Sequence, residues 1–218
     1  MTHSHKVPTK TALAQWSQAS LRAEDFDSAG WNVAKPEQLS QYWSGDEAPI
    51  DRHAEVKIMW STEALHVLFH CQQREALVVA ANPQTLQKTP GLWDRDVCEI
   101  FIAPDLSEPN KYFEFEAAPT GEWLDVAINF KEEGRQADWY FRSGLTVATK
   151  SVGPLVTISM RIPWSSYLSE PRAGEKWRVN FFRCIGSGRE RGYLAWEPTL
   201  TKEPNFHVPE MFGWLQFV

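Results

Sequence analysis

Carboxylates set beside flat aromatic rings are the groups in this sequence best suited to act on a ligand. Glu114 and Glu116 alternate with Phe113 and Phe115, and Glu99 sits inside the apolar run 97–102. A second signal is the tryptophan content, eleven in 218 residues. Indole is large, seldom fully buried, and needs a partner for its N–H, so a core has little use for all of them. Rings of this kind stack on the C–H faces of a sugar, while carboxylates and amides accept from its hydroxyls. A plainer reading stands beside that one. The solvated outer face of an antiparallel sheet alternates in the same way, and alternation alone favours it. Trp93 is different, because Pro90-Gly91-Leu92 before it and Asp94-Arg95-Asp96 after it read as a loop. There a large ring more often recognises a ligand than packs a core. Asp96 is a candidate brace for the loop. Glu99, flanked by apolar residues, needs a partner. Arg178 or Arg183 could supply it, which leaves an ion pair and a ligand contact as equal alternatives.

Other polar residues carry weaker signals. Cys71, Cys98 and Cys184 are an odd set without metal spacing. They read as buried free thiols, with a Cys71–Cys98 pairing left open. His66 and His70 project from one strand face, but two imidazoles without a third ligand make a thin metal site, and solvent-facing histidines are expected. His3 and His5 belong to an N-terminal tail with no metal role expected. Pro209 and His207 are expected to fix the turn carrying Phe206, with Phe212 and Trp214 in the core.

The elements that must position these groups are strands. Apolar residues alternate in short runs bounded by Pro, Gly and Asp, and no sustained helical period occurs. Runs 56–60 and 65–71 predict one hairpin, and 112–116 and 123–128 a second around Pro119-Thr120-Gly121-Glu122. Further strands are expected at 97–102, 145–149, 155–162, 176–183 and 213–218, with short helices at 36–42 and 163–168. In the second hairpin, Phe113 and Phe115 share one face and Tyr112, Glu114 and Glu116 the other. On its partner strand, Leu124, Val126, Ile128 and Phe130 form an apolar face opposite Trp123, Asp125 and Asn129. The expected hairpin therefore has one apolar face and one face of carboxylates, amide and aromatics. The fold class is all-β, an antiparallel jelly-roll-like sandwich over 31–218, preceded by a weakly patterned segment 1–30. Trp31 and Trp43 are expected to mark an edge strand and a short helix.

Bulk composition fits one such domain, with 43% hydrophobic and 23% charged residues. The net charge of −6 argues against nucleic-acid and anionic-membrane partners, and no run of eighteen apolar residues suggests a span. The chain as written has no signal-peptide pattern. It is expected to be cytoplasmic, or secreted if the true start lies upstream, and monomeric.

Two segments carry a family resemblance. The stretch 91–102, Gly-Leu-Trp-Asp-Arg-Asp-Val-Cys-Glu-Ile-Phe-Ile, resembles the W-x-x-D-x-V-E-[IV]-F strand entry of the family 9 carbohydrate-binding modules, best known as appendages of bacterial xylanases. Trp196-Glu197-Pro198 followed by 205–217 is similar to that family's closing segment, and 112–116, Ile162-Pro163-Trp164 and 177–180 fall between in the expected order. The resemblance runs from about Trp31 to Val218. It implies non-catalytic binding of a glucan- or xylan-type oligosaccharide or chain end, in the service of polysaccharide breakdown. Trp93 and Phe206 match the two rings of an aromatic clamp. Glu99, Glu114 and Glu116 match positions that make polar contacts with the ligand. Structural calcium is also implied, with Asp105 and Glu108 as candidate ligands. The chain departs from the pattern at two positions. Phe206 stands where a Trp is usual, and Glu114 where well-understood relatives carry a basic residue. Two other functions remain open: glycoside hydrolysis by the same carboxylates, and haem binding of the DOMON-like kind through Met59 or Met160 with His66 or His70.

Overall fold

The computed structural model describes residues 9–131 and 133–218; His3 and His5 lie outside them. Among the described residues the alternating runs form fourteen strands. In chain order they are β1 (Thr11–Trp16), β2 (Glu37–Leu39), β3 (Gln41–Tyr42), β4 (Ala54–Trp60), β5 (Ala64–Gln72), β6 (Val97–Ala103) and β7 (Lys111–Ala117). The rest are β8 (Trp123–Lys131), β9 (Gly134–Asp138), β10 (Thr146–Val152), β11 (Leu155–Pro163), β12 (Lys176–Ile185), β13 (Gly192–Ala195) and β14 (Gly213–Phe217).

The strands form a two-layered sandwich. The back layer runs β10-β11-β5-β4, with β2 added on β4, and the front layer runs β14-β12-β6-β7-β8-β9, with β13 and β3 reached through β12. β1 stitches the layers together. Its residues Thr11–Ala14 pair in parallel with Trp214–Phe217, and Gln15 and Trp16 then pair in parallel with Met59 and Trp60. The sandwich is thus antiparallel except along this one strand. β1 lies in the segment 1–30 and was not predicted as a strand. Its inward residues are only Ala12 and Ala14, too small to give a strong alternation signal.

Neither predicted helix forms. Residues 37–42 instead make β2, which pairs with β4, and β3, which pairs with β13. Pro163 ends β11, and Ser165 Oγ then accepts from the Leu168 backbone N–H in a turn. Trp31 lies in a 3₁₀ turn, Ala29–Asn32, rather than in a strand. Trp43 follows β3 and meets Tyr193 edge-on.

Between the layers, Val56, Ile58, Val67, Phe69, Ile158 and Met160 face Ile100, Ile102, Phe115, Val179 and Phe181. Burying each such side chain contributes roughly 1.5–3 kcal/mol. The Cys71 and Cys98 thiols meet in this core 3.4 Å apart, both free. A second apolar layer covers the outer face of the front sheet, where Phe101, Tyr112, Val126 and Phe182 pack under Phe206 and Phe212. That outer layer positions the site.

His66 corrects the expectation of solvent-facing histidines, since it is 2% exposed beside Ser61 Oγ. Burial, and then the charge of Arg161, hold its pKa down at about 4, against the opposing pull of Glu63. Below pH 6.5 the unfolded chain takes up a proton here and the folded one does not, so acidification from 6.5 towards 4 removes stability, on the order of 3 kcal/mol for this group. Denaturant unfolding of wild type and His66→Gln at pH 7 and pH 4.5 checks this. Wild type is expected to lose more stability than the variant, and equal losses would contradict the assignment.

Candidate functional site

The outer face of the front sheet carries the three glutamates singled out by the sequence. Cross-strand partners share a sheet face. Glu99 lies opposite Glu116, and Phe101 opposite Glu114, across β6 and β7. On the next strand Glu114 lies opposite Val126 and Glu116 opposite Leu124. This corrects the expected two-faced hairpin: the register places the glutamates on the face of Leu124, Val126 and Ile128, and turns Asp125 inward beside Phe115. The polar groups are therefore sunk in an apolar floor. Glu99, Glu114 and Glu116 are 2%, 5% and 0% exposed.

Burial raises all three carboxyl pKa values above the usual carboxylate range. Glu114 adds to the shift at Glu99, and Glu99 and Glu114 add to it at Glu116. Neither arginine proposed from the sequence pairs with Glu99. Arg183 donates instead to the Arg52 and His53 carbonyls and to Gln73 Oε1, while Arg178 lies over the Trp214 ring and donates to the Glu210 carbonyl. Trp214 is consequently half-exposed rather than core. Glu99 accepts only a long contact, 3.5 Å, from Cys184 Sγ.

Above this floor opens a cleft of about 290 Å³ lined by Trp93, Glu99, Glu114, Trp139, Tyr193 and Phe206, among others. Both clamp residues named from the sequence border it. Trp93 stands on a 3₁₀ turn, Leu92–Asp94, entered through Gly91 at φ 78°. That is left-handed backbone which a glycine adopts without a Cβ penalty. Asp96 braces the loop as expected, accepting from the backbone N–H groups of Val78 and Gly186. Arg191 fastens it further by donating to the carbonyls of Trp93 and Arg95.

Phe206 stands in the wall with one face stacked on Phe182, centroids 4.0 Å apart, and Tyr193 packs edge-on against it. Beside it, the His207 ring meets the Tyr112 hydroxyl at 2.7 Å, and burial holds its pKa down at about 3, so the imidazole is neutral at pH 7.

Trp139, Tyr193 and Arg135 are among the cleft residues missed in the sequence. Trp139, at the end of β9, meets Trp93 with ring centroids 6.4 Å apart, and both rings are about 40% exposed. Tyr193 lies on β13, under the Arg191 guanidinium. The signal for Trp139 was the surplus of tryptophan itself, since most other indoles are buried or half-buried.

Glu116 reaches the floor but does not line the cleft. Asp105 and Glu108 lie apart from it in an exposed turn. Asp105 Oδ1 accepts from the Ser107 N–H and hydroxyl, and Glu108 pairs with Lys111 at 2.6 Å. Two exposed acids already engaged inside their own loop do not fit a calcium cage, which takes six to eight oxygens. Of the residues weighed for haem, Met160 faces the core between the layers, whereas Met59 and His66 are cross-strand partners on the outer face of the back layer, both buried.

The sequence profile of the carbohydrate family 9 binding domain-like proteins matches residues 25–218. Among curated relatives, an extracellular protein of Arthroderma benhamiae is 26% identical over 141 residues, 58% of this chain. A UPF0462 protein of Danio rerio, a C4orf33 homolog, is 30% identical over 131 residues, 56% of this chain. The matches span 63% and 60% of those relatives' lengths. A Bacteroides uniformis protein of known structure aligns at TM-score 0.75 with 16% identity, over 96% of this chain and 99% of its own. A family 9 carbohydrate-binding module of Caldicellulosiruptor kristjanssonii, solved with cellotriose, aligns at 0.66 with 16% identity, covering 95% and 93%. Its glucose complex aligns at 0.65 with 17% identity, covering 96% of each chain.

Proposed function

Because the chain belongs to the carbohydrate family 9 binding domain-like family, we propose that its cleft binds a gluco- or xylo-oligosaccharide without cleaving it. The observation that carries this reading is the pairing of half-exposed rings, Trp93 and Trp139, above acceptor carboxylates at the cleft floor. Indole faces take the C–H faces of a pyranose, and Glu99 and Glu114 accept from its hydroxyls. The cellotriose and glucose complexes of the structural neighbours support the ligand class.

Hydrolysis finds no support in this geometry. It needs two carboxyl groups flanking the scissile bond in different environments. Here the acids sit side by side, all buried, on one face of the sheet.

Calorimetric titration with glucose, cellotriose and xylotriose tests the reading. Saturable binding of one ligand per chain, with no release of reducing ends, is expected. Absence of binding by all three would overturn it.

A further inference from the structure

The cleft floor gathers three buried carboxyl groups side by side. One carboxylate oxygen from each of Glu99, Glu114 and Glu116 lies within 4.8 Å of the other two. Glu99 and Glu116 are directly opposite on neighbouring strands, where like charges destabilise a sheet. Neither oxygen of Glu116 meets a donor from outside the cluster among the described residues, the Glu114 carboxyl being its hydrogen-bond neighbour, and the side chain is fully buried. Of the nearby cations, Arg191 donates to two backbone carbonyls and Arg95 pairs with Glu122, while Arg135 lines the cleft and its charge acts on Glu114 but not on Glu116. Burying a carboxyl group without a cation or a proton to neutralise it is strongly unfavourable, and the fold gathers three carboxyl groups here.

We propose that Glu99, Glu114 and Glu116 hold a hard divalent cation, calcium or manganese, at the cleft floor. Carboxylate oxygens are the ligands such ions prefer, and two positive charges offset the repulsion among the acids. Glu116 is the inner ligand, with an oxygen within 4.8 Å of one from each of the other two. Glu99 and Glu114 line the cleft itself, so the ion's remaining coordination positions face the opening and are filled by water or ligand hydroxyls. Among the described residues no other set brings three acidic, histidine or cysteine ligands together.

The inference uses the same cleft as the proposed function but stands on the buried acids, so it is tested without sugar. Chelator-treated protein is titrated calorimetrically with calcium chloride and, separately, with manganese chloride. One saturable site per chain is expected for at least one ion, together with a raised thermal midpoint. Glu116→Gln is expected to weaken binding about tenfold or more, since ligand charge sets affinity at such sites. If that variant does not fold, Glu114→Gln is held to the same criterion. No saturable binding of either ion by wild type would overturn the proposal, leaving the acids to be held by protons. A folded variant with wild-type ion affinity would also overturn it, because the ion would then sit elsewhere.

Discussion

Replacing Trp93 with alanine is expected to weaken oligosaccharide binding by about 30-fold, or about 2 kcal/mol, while changing unfolding free energy by less than about 1 kcal/mol. The two effects separate because the ring is 40% exposed and leans on Trp139 rather than on the core. Large rings in partly desolvated pockets dominate binding energy, and truncating this one removes a whole wall of the cleft. The loop is fixed by its backbone and by Asp96 rather than by the indole, so the remaining groups stay in place. Calorimetric affinity and denaturant unfolding of the same variant decide the matter. Wild-type affinity would remove the ring from the site, and a large loss of stability would make it a packing residue.

The largest stability effect is expected at Lys88. Its ammonium is buried against Asp125 at 2.6 Å, with the two side chains 9% and 1% exposed. It also donates to the carbonyls of Asp125 and Phe141, and Asp125 Oδ2 in turn accepts from the Ser143 N–H and hydroxyl. One ammonium thus ties the loop leading to Trp93 to the segment that follows Trp139. Lys88→Met leaves a buried aspartate without its cation, at an expected loss of about 3–5 kcal/mol. Both cleft walls would loosen with it. Equilibrium unfolding measures this, and a loss below about 1 kcal/mol would show that the pair carries little of the fold.

The strands with bulky alternation, β4 to β8, β11, β12 and β14, were legible in the sequence because each buries large apolar residues on at least one face. β9 and β13 were not. The first, Gly134–Asp138, is polar and largely exposed at an edge, and the second is only four residues long. The site was legible in part. Trp93, Glu99, Glu114 and Phe206, all named from the sequence, line one cleft. Trp139 directly follows β9 and Tyr193 lies on β13, two of the strands that alternation could not find. The error over the hairpin faces has a simple physical origin. Alternation says which residues share a face within one strand, whereas register decides which face of the next strand joins them. Pairing Glu114 with Val126 put the carboxylates in an apolar floor and turned Asp125 inward to meet Lys88.

The proposed binding mode stacks a sugar on Trp93 and Trp139, over Glu99 and Glu114. The most direct measurement is the cellotriose titration observed on the tryptophan indole N–H resonances. Saturable shifts of the Trp93 and Trp139 signals are expected, while the buried Trp177 and Trp196 stay unchanged. Saturable shifts that spare both cleft indoles, or no shifts at all, would contradict it.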